Sequence, residues 1–164
     1  MKRLLFSLAL SLIAMVSMAQ AKYVFYFIGD GMGANQVLAA EMYQAALQGQ
    51  INRVPLLMSQ FPYSGQAATF SASYGITDSA AAGTCLASGK KTNNGMIGQT
   101  PDGEPAYSVA SKLHDEGWAV GIMSSVPVDH ATPASQYAHA EKRYQYYKIG
   151  TQLTQTGFNF FAGG

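Results

Sequence analysis

Two apolar runs, each closed by a loop, constrain this chain more than any other feature. Tyr23-Val24-Phe25-Tyr26-Phe27-Ile28 is continuous in apolar and aromatic side chains, and Trp118-Ala119-Val120-Gly121-Ile122-Met123 is nearly so. Runs without polar alternation suit strands covered on both faces, as in parallel sheets. Helix-forming stretches lie between them. Residues 34–48 end at Gly49, a glycine placed to cap a helix. Residues 78–87 are alanine-rich and stop near Gly89, and residues 107–116 end at Gly117. Residues 133–147 read as one further helix, with residues 149–156 continuing it after Gly150. Residues 64–73 alternate weakly as a second strand, and Phe158-Asn159-Phe160-Phe161 begins another. Residues 54–62 read as a loop or short turn, residues 93–103 as an exposed loop, and residues 124–132 as a loop closing strand 118–123. This βαβα order predicts an α/β fold with a mostly parallel central sheet sandwiched by helices. The chain stops at Ala162-Gly163-Gly164, where a strand reaches its C-terminal end. Functional loops of such sheets lie at that edge. The fold is therefore expected to be incomplete, truncated at the C-terminus.

The first residues stand apart. Lys2-Arg3 precede an apolar run over residues 4–16 that only Ser7 and Ser11 interrupt, and Ser17-Met18-Ala19 supplies small residues. That pattern is a secretory signal peptide, too short for a membrane span. The alternative is an uncleaved N-terminal anchor. Residues 1–19 are expected to be the signal. Residues 20–164 are expected to be the N-terminal portion of a single domain, exported to the periplasm or secreted, with no membrane association after signal removal. The 10 basic residues less Lys2 and Arg3 leave 8 against 9 acidic residues, a net charge of −1. The remaining tight basic pairs, Lys90-Lys91 and Lys142-Arg143, form no clustered face, so nucleic acid is not an expected partner. Cys85 is the only cysteine. It permits no internal disulfide and reads as a buried structural thiol.

Three loops carry the candidate chemistry. Asp30 lies between Gly29 and Gly31 at the end of the first apolar run. It is either a metal ligand or part of a simple Asp-Gly turn. The alternating Gly29, Gly31 and Gly33 lack the spacing of a dinucleotide loop. The second loop is Ile76-Thr77-Asp78-Ser79-Ala80-Ala81-Ala82-Gly83-Thr84. Asp78 or Ser79 can cap the following helix. A hydroxyl there also sits in a positive field that favours an alkoxide and a bound phosphate. Nucleophile and ordinary cap are both open readings of Ser79. None of His114, His130 and His139 is near it in sequence, and the Gly-x-Ser-x-Gly elbow is absent. A nucleophilic Ser79 would need a metal ion to activate it. The third loop is Val128-Asp129-His130-Ala131-Thr132-Pro133-Ala134. His130 can ligate a metal or bond locally, and Asp129 offers a further oxygen. Thr132 before a proline reads as a helix cap. Arg143 is expected at the far end of that helix, as a fork for phosphate oxygens or as part of a solvated face.

Together these residues resemble the alkaline phosphatase family, in the right order throughout residues 20–164. The segment from Tyr26 to Gly33 is similar to the family's first metal-binding strand end. The segment from Ile76 to Thr84 matches its nine-residue active-site signature at every position. Gly89-Lys90-Lys91-Thr92 to Gly98 continues in a similar vein. His130-Ala131-Thr132-Pro133-Ala134, through Tyr137-Ala138-His139 to Arg143, is similar to the family's magnesium-ligand and arginine segment. Gln152-Leu153 and the stretch from Phe160 to Gly164 look like its next helix and Gly-rich strand end.

The resemblance implies hydrolysis of phosphate monoesters through a phosphoserine intermediate, with two Zn2+ and one Mg2+ as cofactors. It implies that Asp30 bridges the second zinc and the magnesium, and that Ser79 attacks phosphorus while touching that zinc. His130 and Thr132 would support the magnesium site, and Arg143 would clamp two phosphate oxygens. Many bacterial members carry Asp where His130 stands, and animal-type members carry His. An imidazole is a poorer magnesium ligand than a carboxylate, so zinc or cobalt can compete there. His114 and His139 match no ligand position. The resemblance places the remaining zinc ligands further along the family's sequence, so the 164-residue chain alone is expected to be inactive. It implies a homodimer for the complete enzyme. The rival readings are a phosphodiesterase or sulfatase of the wider metallo-hydrolase superfamily, or an inactive truncated remnant.

Overall fold

The computed structural model describes residues 21–164. The expected signal peptide, residues 1–19, lies outside the described residues. The chain divides into two compact units, Met1–Met32 and Gly33–Gly164.

In the first unit, residues 23–28 do not form the expected strand. Tyr23, Phe25 and Phe27 are largely exposed. An apolar run becomes a strand only where its N–H and C=O groups meet a neighbouring ladder. The run ends in a turn at Asp30-Gly31, with Met32 N–H donating to the Gly29 carbonyl at 3.2 Å. Gly31 adopts φ +68°, and the Met32 side chain lies against Gly29 so closely that a Cβ there would collide with it.

The second unit holds five helices. Helix α1 spans Ala34–Leu47. Its buried Glu41 accepts hydrogen bonds from Arg53 Nη1 (3.0 Å), Leu56 N–H (3.1 Å) and Ser59 Oγ (2.6 Å). One carboxylate thereby folds the following chain, with its 3-10 turn at Leu57–Gln60, back onto the helix. Residues 64–73 are not a strand. A tight turn forms at their end, where Ser71 N–H donates to the Tyr74 carbonyl at 3.0 Å and Ser71 Oγ accepts from Tyr74 N–H at 2.9 Å. Helix α2, Ser79–Ser88, ends on Gly89 in the left-handed conformation. Helix α3 is Val109–Asp115, capped by Ser108 Oγ on Ser111 N–H.

Strand β1 (Gly121–Met123) pairs in parallel with β2 (Phe160–Ala162), so that Ile122 faces Phe161. Asn159 leads β2 in by clasping Val120: its Oδ1 accepts from Val120 N–H, and its own N–H donates to the Val120 carbonyl. A parallel pair needs a long crossover. Here it runs through α4, Ala131–Ala134, and α5, Tyr146–Leu153.

The expected single helix over residues 133–147 is broken in two. Ala140 exchanges both backbone bonds with Ile97 (2.8 and 2.9 Å), which takes residues 139 and 140 out of any helix. The same bridge corrects the expectation of an exposed loop at residues 93–103, since Ile97 is fully buried and Gly98 beside it is buried too. Cys85 is only partly buried. The core is built from Ala80, Ile97, Ala131, Ala134, Tyr137, Ala138, Ala140 and Ile149, with Leu153, Phe158 and Phe161 against it. Its alanines let α2 and α4 approach closely.

Candidate active site

Ser79 is the first residue of α2, and Asp78 is its N-cap. The Asp78 carboxylate does more than cap. Oδ1 accepts from Ala81 N–H at 2.9 Å. Oδ2 accepts from Gly95 N–H at 3.0 Å and from Arg143 Nη1 at 3.2 Å. Asp78 N–H in turn donates to Asn94 Oδ1 at 3.2 Å, while Asn94 Nδ2 holds the Ile76 carbonyl at 3.0 Å. The ion pair is partly exposed, with side-chain accessibilities of 34% for Arg143 and 25% for Asp78. A guanidinium held by one nitrogen keeps its other donors for a second acceptor.

Arg143 is not at the end of a helix. It lies in the irregular connection between α4 and α5, fixed by its own N–H donating to the Gly95 carbonyl at 2.7 Å. The loop around Gly95 therefore holds both Asp78 and Arg143. Sequence reasoning took Asp78 only as a possible cap and missed its pairing with Arg143. The capping role was legible from an Asp-Ser pair before an alanine run. The pairing was not, because it joins residues far apart in the chain.

His130 is the N-cap residue of α4, and Thr132 lies inside the turn and not at its cap, two residues from the expected register. His130 stacks on Tyr146, the first residue of α5, with ring centroids 5.8 Å apart. The preceding loop is pinned by Tyr137, whose hydroxyl donates to the Val128 carbonyl at 2.9 Å. Burial pushes the Tyr137 hydroxyl up to about 12, and the charge of Asp129 adds to the effect. That hydroxyl stays a donor through the mildly alkaline range.

Gly83, one turn beyond Ser79, brings α2 onto this turn. A Cβ at Gly83 would stand 2.6 Å from Ser135 Oγ and 3.6 Å from Thr132 Cα. Ser79, Asp78, Arg143, His130 and Thr132 thus belong to one packed body, with α2 against α4. Asp30 belongs to the first unit. Among the described residues, no three His, Cys, Asp or Glu side chains come together as a metal cluster.

The Alkaline phosphatase family model matches residues 21–158. This chain belongs to the alkaline phosphatase family. It is 36% identical over 137 residues to the tissue-nonspecific alkaline phosphatase of Gallus gallus, which covers 77% of this chain. The chain spans 26% of the length of that relative. Its structure superimposes on the cold-active alkaline phosphatase of the psychrophile Shewanella sp. with a TM-score of 0.73 at 29% identity, covering 81% of this chain and 33% of that one. It is also similar to a mutant of the TAB5 alkaline phosphatase with Mg bound in its M3 site, with a TM-score of 0.58 at 30% identity over 65% of this chain and 34% of that one. The parallel pair and its helices are accordingly part of the alkaline phosphatase α/β fold. No described helix is long and apolar enough to cross a membrane.

Proposed function

We propose that this chain is the N-terminal portion of an exported phosphate monoester hydrolase in which Ser79 is the nucleophile and Arg143 the phosphate clamp. The observation that carries this reading is the double use of the Asp78 carboxylate. It caps the helix that begins at Ser79, and it holds the guanidinium of Arg143. A nucleophile candidate and a phosphate-binding candidate are thereby tied to one anchor. The N-terminus of α2 adds a positive field, which favours both an ionised hydroxyl and a phosphate dianion. In-line attack by Ser79 Oγ would form the Ser–O–P bond as the alcohol oxygen leaves with the bonding pair. Water would then hydrolyse the phosphoserine.

The same reading assigns Asp30, Ser79, His130 and Thr132 as metal ligands, with two Zn2+ and one Mg2+ in the whole enzyme. When bound, such ions supply charge that lowers a hydroxyl's pKa and steadies a leaving oxygen. Among the described residues no three His, Cys, Asp or Glu side chains come together. Residues 1–19 would direct export to the periplasm or beyond, and the complete enzyme would be a homodimer.

The test is turnover of a monoester, a diester and a sulfate ester by the full-length protein. The expected result is strong preference for the monoester, with Ser79→Ala slower by roughly 10³-fold or more. Faster turnover of the diester or the sulfate would sink the reading.

A further inference from the structure

Gln152, on α5, uses one side-chain amide to satisfy both backbone groups of a residue in another segment. Its Oε1 accepts from His139 N–H at 2.8 Å, and its Nε2 donates to the His139 carbonyl at 3.0 Å. Nε2 also reaches the Lys148 carbonyl, one turn earlier in its own helix, at 3.1 Å. The amide is therefore fixed to α5 while it grips the other segment. Ile149, on the same helical face, is fully buried and keeps that face turned to the core.

The grip resembles one rung of a sheet made by a side chain. The backbone supplies the next rung, because Ala140 pairs with Ile97 through two bonds. The His139 ring adds a third tie, with Nδ1 against the Gly98 carbonyl. Beyond Ala140, Glu141 and Lys142 are exposed, and Lys142 bonds to Gln145 within the same connection. The next residue held from another segment is Arg143, bonded to Gly95 through its backbone and to Asp78 through its guanidinium. Two residues are a short tether, at most about 3.6 Å of chain each. A shift at residues 139–140 therefore bears on Arg143 through only two intervening residues.

We infer that Gln152 is a positioning residue for Arg143, acting through the backbone of His139 and Ala140. The inference rests on the reading that Arg143 grips the phosphate of the substrate. A planar guanidinium binds two phosphate oxygens only at a defined distance and angle, so its affinity records small displacements of its anchor. Gln152 sits on the far side of that anchor and acts on the grip only through it.

The experiment is a double-mutant cycle in the full-length protein, read as the inhibition constant of inorganic phosphate. Thermal melting is measured beside it. Gln152→Ala is expected to weaken phosphate about tenfold. In an Arg143→Ala background the same change is expected to have no further effect on phosphate, because the group it positions is gone. Gln152→Glu keeps the acceptor for His139 N–H and loses the donor to its carbonyl. It is expected to weaken phosphate less, and it serves if the alanine variant does not fold. Unchanged phosphate inhibition in both Gln152 variants would overturn the inference. So would an equal loss with and without Arg143, which is the mark of a merely structural role. If Arg143→Ala alone binds phosphate like the parent, the Arg143 reading itself is overturned, and this inference goes with it.

Discussion

Asp78 draws three donors to one carboxylate: the N–H of Ala81 in its own helix, the N–H of Gly95 in a loop, and the guanidinium of Arg143. Removing the carboxylate leaves two backbone donors and a cation without that acceptor. Asp78→Ala is expected to cost about 1–2 kcal/mol of stability, the sum of a lost cap and a lost loop bond. Asp78→Asn keeps an acceptor for Ala81 N–H and is expected to cost less, since the partly exposed ion pair contributes little by itself. Urea unfolding of the two variants in the full-length protein checks the order. Equal costs would place the effect in the bonds of Oδ2, to Gly95 and Arg143, and not in the cap. The helix start could be read from the sequence because capping is local. The partners Gly95 and Arg143 could not, because no local pattern joins residue 78 to residues 95 and 143.

At the level of elements, α2 and α4 meet where Gly83 has no side chain. Gly83→Ala would drive a methyl group into Ser135 Oγ and is expected to cost about 1–3 kcal/mol. Combining it with Ser135→Gly should recover most of that loss, as read by the shift in melting temperature. No recovery would mean that the Thr132 backbone, and not the serine, sets the limit. Helix α1 depends on acidity. The Ser59 hydroxyl bond, the Leu56 N–H bond and Arg53 hold the Glu41 carboxyl below its ordinary value of 4.5, against the opposing effect of burial. A group whose folded pKa is depressed stabilises above its unfolded value, and that contribution is lost as pH falls through the folded one. Amide exchange at Leu56 is therefore expected to accelerate as pH falls below the ordinary glutamate range, after correction for intrinsic rates. Glu41→Gln should remove that dependence, and an unchanged profile in the variant would contradict the role of Glu41.

The helices were legible from composition and glycine stops, and α1, α2 and α3 lie within one or two residues of where the sequence puts them. Strand β1 falls inside its apolar run, and β2 begins inside its run and ends one residue beyond it, at Ala162. The chain from 133 to 147 was misread because its helical composition competes with bonds from distant residues. Ile97 and Gln152 claim the backbone of residues 139 and 140, and neither is visible in a local window.

At the scale of the whole molecule, the alternation of apolar run and helix was enough to predict an α/β fold, and the family's solved structures bear that out. The run at residues 23–28 shows the limit of such reading. Its composition encodes a covered strand, but a strand also needs a partner, and composition does not say where the partner lies. The described residues pair only two short strands, and Tyr23, Phe27, Ile51, Tyr63 and Tyr147 are widely exposed. Exposed apolar area on this scale is unusual for a self-sufficient domain. The 164-residue chain by itself is expected to show no zinc-stimulated hydrolysis of p-nitrophenyl phosphate and to fold poorly by near-ultraviolet dichroism. Metal-dependent turnover by the isolated chain would contradict that expectation.

The central claim is that Ser79 takes the phosphoryl group. The full-length protein, mixed with a radiolabelled phosphate monoester and quenched in acid, should carry acid-stable label on the peptide that contains Ser79, and Ser79→Ala should carry none. Label on another residue, or undiminished phosphoserine in the Ser79→Ala variant, would contradict the account.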